Sequence, residues 1–243
     1  MIKISIAKLL FTIFLLSNYS LAESLLQGYI VDASQSNTNS EISFTSGKKD
    51  DKRFYKAKLS KIVNLKVSQA IDIALNYKLR CNNNFRDQRT LTPKSYTCPY
   101  PSKSIIETQI LPSLRQDEKD EDELRRFIVQ TRMQRRGNHS HVDLVRLKKV
   151  SDQEYLATQE LLTDKEARNH ISTPISKESV FIKARIEFTF KKVGKNKTEI
   201  KYTYISITDH WLLNKSIMTS RVFESMTSSI TRVFETILAE SQK

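Results

Sequence analysis

Asp209-His210-Trp211 sets a carboxylate beside an imidazole, half of an acid–base pair. Adjacent residues seldom orient each other for proton transfer, and no G-x-S-x-G elbow supplies a nucleophile. His139 and His141 flank Ser140, and alternate residues of a strand share a face, so both rings can approach one ion. Two ligands without a nearby third do not make a metal site, and we read this pair as an exposed turn. His170 falls in a polar loop and reads as solvent-facing. With 4 glycines in 243 residues, a phosphate-cradling glycine loop is excluded. We therefore expect no cofactor, no metal and no enzyme; the minor enzymatic reading is a hydrolase or cyclase using His210.

Two further sets carry chemistry of other kinds. Cys81 and Cys98 enclose sixteen residues rich in Asn, Arg, Thr and Pro, and no histidine lies near them for a zinc site. In an oxidising compartment they pair as a disulfide. Arg125, Arg126, Arg132, Arg135 and Arg136 follow an acidic run, Asp117 to Glu123. Guanidinium forks grip phosphate and carboxylate groups, which makes Arg126, Arg132, Arg135 and Arg136 anion-contact candidates. The competing reading pairs them with Asp120, Glu121 and Asp122.

The compartment is written at the N-terminus. Lys3 and Lys8 precede or open an apolar run, Leu9 to Leu16, which ends in Asn18-Tyr19-Ser20-Leu21-Ala22. That is the three-part pattern of a secretory signal cleaved after Ala22, and the run is too short for a membrane span of about 20 residues. We expect an exported protein, periplasmic or secreted, of bacterial type. The 40 basic and 27 acidic residues give a net charge of +13, and removing Lys3 and Lys8 leaves +11. Export takes nucleic acid out of reach, so the partners expected are a lipid or other amphipathic ligand, an acidic envelope component, or a protein.

The elements that must position these groups follow from hydrophobic period. Residues 23–53 are polar and weakly patterned, and read as a mobile lead segment with one short strand near Gly28 to Val31. A single domain then spans 54–243. Tyr55, Ala57, Leu59, Val63 and Leu65 alternate as a strand, and Val67, Ala70, Ile71, Ala74, Leu75 and Leu79 follow helical spacing over 67–79. Strands are expected at 104–111, 124–134 and 142–150, with a turn at Arg136-Gly137-Asn138. Residues 154–163 fit either a helix, through a capping box from Ser151 to Glu154, or a strand, and we assign strand. Residues 164–179 read as a loop. The clearest pattern is last: Val180 to Phe190 alternates, Gly194-Lys195-Asn196-Lys197 turns, and Ile200, Tyr202 and Tyr204 return. A helix of 218–240 closes the chain with a stripe of Met218, Val222, Met226, Ile230, Val233 and Ile237.

This predicts an α+β protein whose largely antiparallel sheet of about seven strands curves around a long C-terminal helix. The order of elements resembles the helix-grip fold of the START-like superfamily, chiefly in its final unit of Ala184 to Val193, Thr198 to Ile207 and Arg221 to Leu238. Two features depart from that pattern: the cysteine loop replaces a short second helix, and the stretch from Thr208 to Ile217 is long. The resemblance implies a space between sheet and helix that often holds an apolar ligand, although some envelope members serve as binding or assembly modules. Phe188, Phe190, Tyr202, Tyr204, Phe223 and Met226 would meet there, with Trp211 at its mouth. They either line a cavity or fill a core, and the two outcomes separate a carrier from an envelope interaction or assembly protein that works through its surface.

Overall fold

The computed structural model describes residues 21–37, 41–102, 104–135, 137–176 and 178–243. The export signal expected at 1–22 lies, as far as Ser20, outside the described residues. Ten strands form one sheet: β1 (Ile30–Asn37), β2 (Ile42–Lys49), β3 (Lys52–Val63), β4 (Phe85–Asp87), β5 (Ile105–Pro112), β6 (Glu123–Arg135), β7 (Gly137–Ser151), β8 (Glu154–Leu161), β9 (Lys183–Gly194) and β10 (Lys197–Thr208). Among the described residues four α-helices accompany them, α1 (Leu21–Ser24), α2 (Val67–Ala74), α3 (Asp164–His170) and α4 (Thr219–Ser241), with a short 3-10 turn at Ser216–Met218 before the last. The spatial order is β1-β2-β3-β10-β9-β8-β7-β6-β5-β4, antiparallel throughout except between β4 and β5. Helix α4 lies against the concave face, giving the expected α+β helix-grip architecture with ten strands instead of about seven.

The final hairpin sets the register of the concave face. Phe188 lies opposite Tyr202, Phe190 opposite Ile200, and Tyr202 in turn opposite Leu59 of β3. These side chains share one face because the strand period is 2. Helix α4 lays Phe223, Met226, Ile230, Phe234 and Ile237 onto them, all buried. Phe223 stacks on Phe44 of β2 with ring centroids 4.6 Å apart, and Phe234 meets the edge of Tyr202 at 6.3 Å. The convex side carries a smaller apolar cluster in which Ala167 and Ile171 cover Ile128, Val142 and Leu144.

Four elements differ from the sequence reading. Residues 30–37 and 42–49, expected within a mobile lead, form the paired strands β1 and β2 and extend the sheet beyond β3. Few residues there are apolar, but Ile42 and Phe44 are buried under α4, and backbone pairing with β3 does the rest. Gly47 makes the hairpin close: a Cβ there would stand 2.2 Å from the Ile30 carbonyl oxygen. Glu23 of α1 is also anchored, at 2.8 Å from Lys56 and 2.6 Å from Lys58. Hydrogen bonds from those two ammonium groups pull its carboxyl down to about 2.

Helix α2 stops at Ala74 and not Leu79, because the Asn76 side chain accepts from the Lys78 N–H at 3.1 Å and competes with continued helix. The expected loop over 164–179 contains helix α3, started by a reciprocal cap in which Thr163 accepts from the Glu166 N–H and Glu166 accepts from the Thr163 N–H. The fourth difference is the three-residue strand β4, which the cysteine loop sends to the sheet edge beside β5. Residues 154–161 are strand β8, so the Ser151 cap serves a hairpin turn, accepting from the Gln153 N–H at 3.3 Å. Cys81 and Cys98 are joined as a disulfide.

Candidate ligand cavity

A cavity of about 780 Å³, open on one side, lies between the sheet and the N-terminal half of α4. Its floor is the concave face of β7 to β10, and its roof is α4. Residue size explains why space remains here and not farther along. Where α4 bears Phe223 and Phe234 against Phe44, Tyr55 and Tyr202, rings close the interior. The cavity instead meets Ser225 and Ser229, one helical turn apart, and the cross-strand pair Ala184 and Ser206. Small side chains facing one another across a helix–sheet gap cannot fill it.

The loop between β10 and α4 supplies one wall through His210, Leu213 and Met218. A buried polar cluster holds this loop in place. Arg53, with 0% of its surface exposed, donates to the Asn214 carbonyl at 3.1 Å and reaches Asp32 at 2.7 Å and 2.9 Å. The Tyr55 hydroxyl donates to the Leu213 carbonyl at 2.5 Å. The hairpin β1–β2, which brings Asp32 and Ser46, thus helps to build the cavity wall.

The expected lining residues separate. Tyr202, Tyr204 and Met226 line the cavity. Phe188, Phe190 and Phe223 belong to the packed core beside it, since large stacked rings leave no room. Trp211 is a correction: it stands 68% exposed outside the cavity, stacked on His210, with the Lys215 ammonium over its ring. His210 lines the cavity; its ring accepts a long 3.4 Å hydrogen bond from the Leu212 N–H, and among the described residues it makes none with the exposed Asp209. The carboxylate–imidazole pair is therefore not formed.

His139 and His141 are also corrected, because β6 and β7 run longer than expected and carry both rings to the cavity wall. No group of three metal-ligating side chains occurs among the described residues. His170 is partly buried at the end of α3, sharing a hydrogen bond with the Ser113 hydroxyl at 2.9 Å; desolvation, followed by the nearby Arg126, lowers its basicity.

Among the arginine candidates, Arg126 is taken up by the protein's own groups. Arg126 is nearly buried on Glu123 at 2.6 Å and donates to the carbonyls of Arg115 and Glu118, so its fork is used up. Arg125 holds Asp72 at 2.6 Å, while Asp120 and Asp122 are taken by Lys148. Arg132 stands exposed; the Arg135 side chain and Arg136 lie outside the described residues.

One lining residue carried no signal in the sequence. Asp143 on β7 is 8% exposed, and its Oδ2 accepts from Gln159 Nε2 at 3.2 Å. Gln159 is oriented by Tyr77, whose hydroxyl donates to its Oε1 at 2.7 Å. No ion pair reaches Asp143 among the described residues, and burial pushes its carboxyl up to about 7. Asp143 follows His139 and His141 at alternate positions, a regularity that became meaningful only once β7 was known to face the cavity.

Comparison with known proteins supports the fold. No protein-family model and no curated protein matches the chain. The chain is similar to the crystal structure of human STARD10, with a TM-score of 0.54, 11% identity, and coverage of 94% of this chain and 78% of that one. A STAR-related lipid transfer protein from Xanthomonas axonopodis (TM-score 0.48, 10% identity, 89% and 100% covered) is also similar. So is a norcoclaurine synthase from Thalictrum (TM-score 0.43, 9% identity, 80% and 98% covered). The chain has the START-like helix-grip fold, and the fold alone does not choose a function.

Proposed function

We propose that the chain is an exported, non-enzymatic carrier that holds an apolar or amphipathic, lipid-like ligand between its sheet and C-terminal helix. The cavity of about 780 Å³ carries this reading, because it falls within the range of small-molecule sites and its lining includes an apolar set, Ile186, Tyr202, Val222, Met226 and Ile230. A filled core was the expectation of the alternative, an envelope interaction or assembly protein, and the space at Ala184, Ser206, Ser225 and Ser229 speaks against it. Export rests on the signal pattern of residues 1–22, with the Cys81–Cys98 disulfide in agreement.

Native mass spectrometry of the protein lacking residues 1–22 tests the carrier reading. We expect a co-purified lipid-sized adduct, or uptake of one equivalent from mixed phospholipid vesicles. Ala184→Trp, which fills the cavity floor, should remove the adduct while circular dichroism shows the fold retained. Bare protein under every loading condition would refute the proposal.

A further inference from the structure

Asp143 is out of place in a cavity wall made for an apolar guest. An ionised carboxylate away from water needs a counter-charge, and the protein brings none within ion-pair reach among the described residues. Its surroundings instead look built for one hydrogen-bond direction. Tyr77 donates to Gln159, and the amide so oriented donates to Asp143 Oδ2. That leaves Oδ1 with no protein partner among the described residues, on a side chain more than nine-tenths buried and lining the cavity.

Resting on the carrier reading, we propose that the Asp143 carboxyl is the polar-head subsite of the cavity and donates a hydrogen bond to a neutral oxygen, a carbonyl or hydroxyl, of an otherwise apolar ligand. The donor is the carboxylic acid O–H. A carboxyl that shares Oδ2 with an amide N–H keeps its proton on Oδ1, where it faces the guest. Burial, which holds the carboxyl to about 7, keeps the acid form present near neutrality. Other charged or titratable groups surround the site. They are His139 and His141 on β7, Tyr202 and Tyr204 on β10, Arg185 on β9, His210 in the loop and Arg221 on α4. Beneath it lie Tyr77, Arg80 and Arg89. Arg185 is engaged by Glu160 and Glu187. A cationic head would meet this basic surround, whereas a neutral oxygen would not be penalised by it.

The test displaces a neutral apolar dye, N-phenyl-1-naphthylamine, with three guests of equal chain length: tridecane, 2-tridecanone and tridecylamine. At pH 6 the ketone should compete about tenfold better than the alkane, as one hydrogen bond made out of water allows. The advantage should fade above pH 8, as the carboxyl ionises. In Asp143→Asn the amide turns its oxygen to Gln159 and an N–H to the cavity, so the ketone advantage should persist and become flat with pH. In Asp143→Leu it should disappear, read as the ratio of ketone to alkane competition within that variant. Equal competition by ketone and alkane in the unmodified protein, or a ketone advantage surviving in Asp143→Leu, would overturn the subsite but leave the carrier reading standing. Preference for the amine at pH 8 would overturn it in favour of a cationic head. No dye uptake by any variant would sink both ideas together.

Discussion

The Arg53 cluster gives the most demanding test of how the cavity is built. Arg53 is fully buried, and among the described residues its charge is balanced by Asp32, across contacts of 2.7 Å and 2.9 Å. Asp32→Ala strands the guanidinium without a counter-charge. Removing one partner of a buried pair costs about 3 kcal/mol or more, and Asp32, itself about a third exposed, loses little by departing. Arg53→Met replaces the cation by an apolar chain of similar length. It gives up the 3.1 Å bond to the Asn214 carbonyl but leaves Asp32 able to take up water, for a loss of roughly 1–2 kcal/mol. The expected order is therefore Asp32→Ala well below Arg53→Met, with the double variant near Arg53→Met. At about 2–4 °C per kcal/mol for a chain of this size, Asp32→Ala should melt roughly 6–12 °C below the parent protein. Urea titration followed by circular dichroism, with the three variants in parallel, reads the order directly. If Asp32→Ala were the milder single substitution, the idea that hairpin β1–β2 neutralises a buried cation beneath the β10–α4 loop would be wrong.

Three further outcomes follow from the same geometry. Asp143 has a folded-state acidity near 7 against about 3.9 when unfolded, so its ionisation opposes folding. The stability it leaves intact below about pH 4 declines as pH rises towards 7, by at most about 4 kcal/mol. Asp143→Asn should remove this decline, which urea midpoints at pH 5 and pH 8 would show as a gain confined to the higher pH. Reducing the Cys81–Cys98 bond, or replacing both cysteines by serine, should lower stability by about 3 kcal/mol, given a sequence separation of 17; an unchanged melting curve under reductant would contradict this. Thr163→Ala with Glu166→Ala removes both halves of the α3 cap and should cost about 1 kcal/mol, with hydrogen exchange rising first at residues 164–170.

Much of this protein was legible without coordinates. The alternation of Ala184 to Phe190 and of Ile200 to Tyr204, with the stripe from Met218 to Ile237, specified the last hairpin and helix because burial of one face imposes its period on the residues themselves. The α3 cap was missed: Thr163 and Glu166 form the same S/T-x-x-E pattern noticed at Ser151, yet residues 164–179 read as a loop, because the pattern opens a helix at one place and a hairpin turn at the other. The edge hairpin β1–β2 left a far weaker trace. It holds its place chiefly through backbone pairing and the charge of Arg53, neither of which has a periodic signature.

The cavity was the tertiary structure's decision. Ser225 and Ser229 on α4 and Ala184 and Ser206 on the sheet are unremarked in sequence; they make a space only because the fold sets them against each other. Asp143 likewise reads as a polar residue on a half-buried strand until β6, β8 and Gln159 pack around it and bury it in the cavity wall. A sequence by itself determines which face of each element prefers to be buried. What that face meets, and whether the meeting leaves a gap, depends on side-chain volumes brought together from distant parts of the chain.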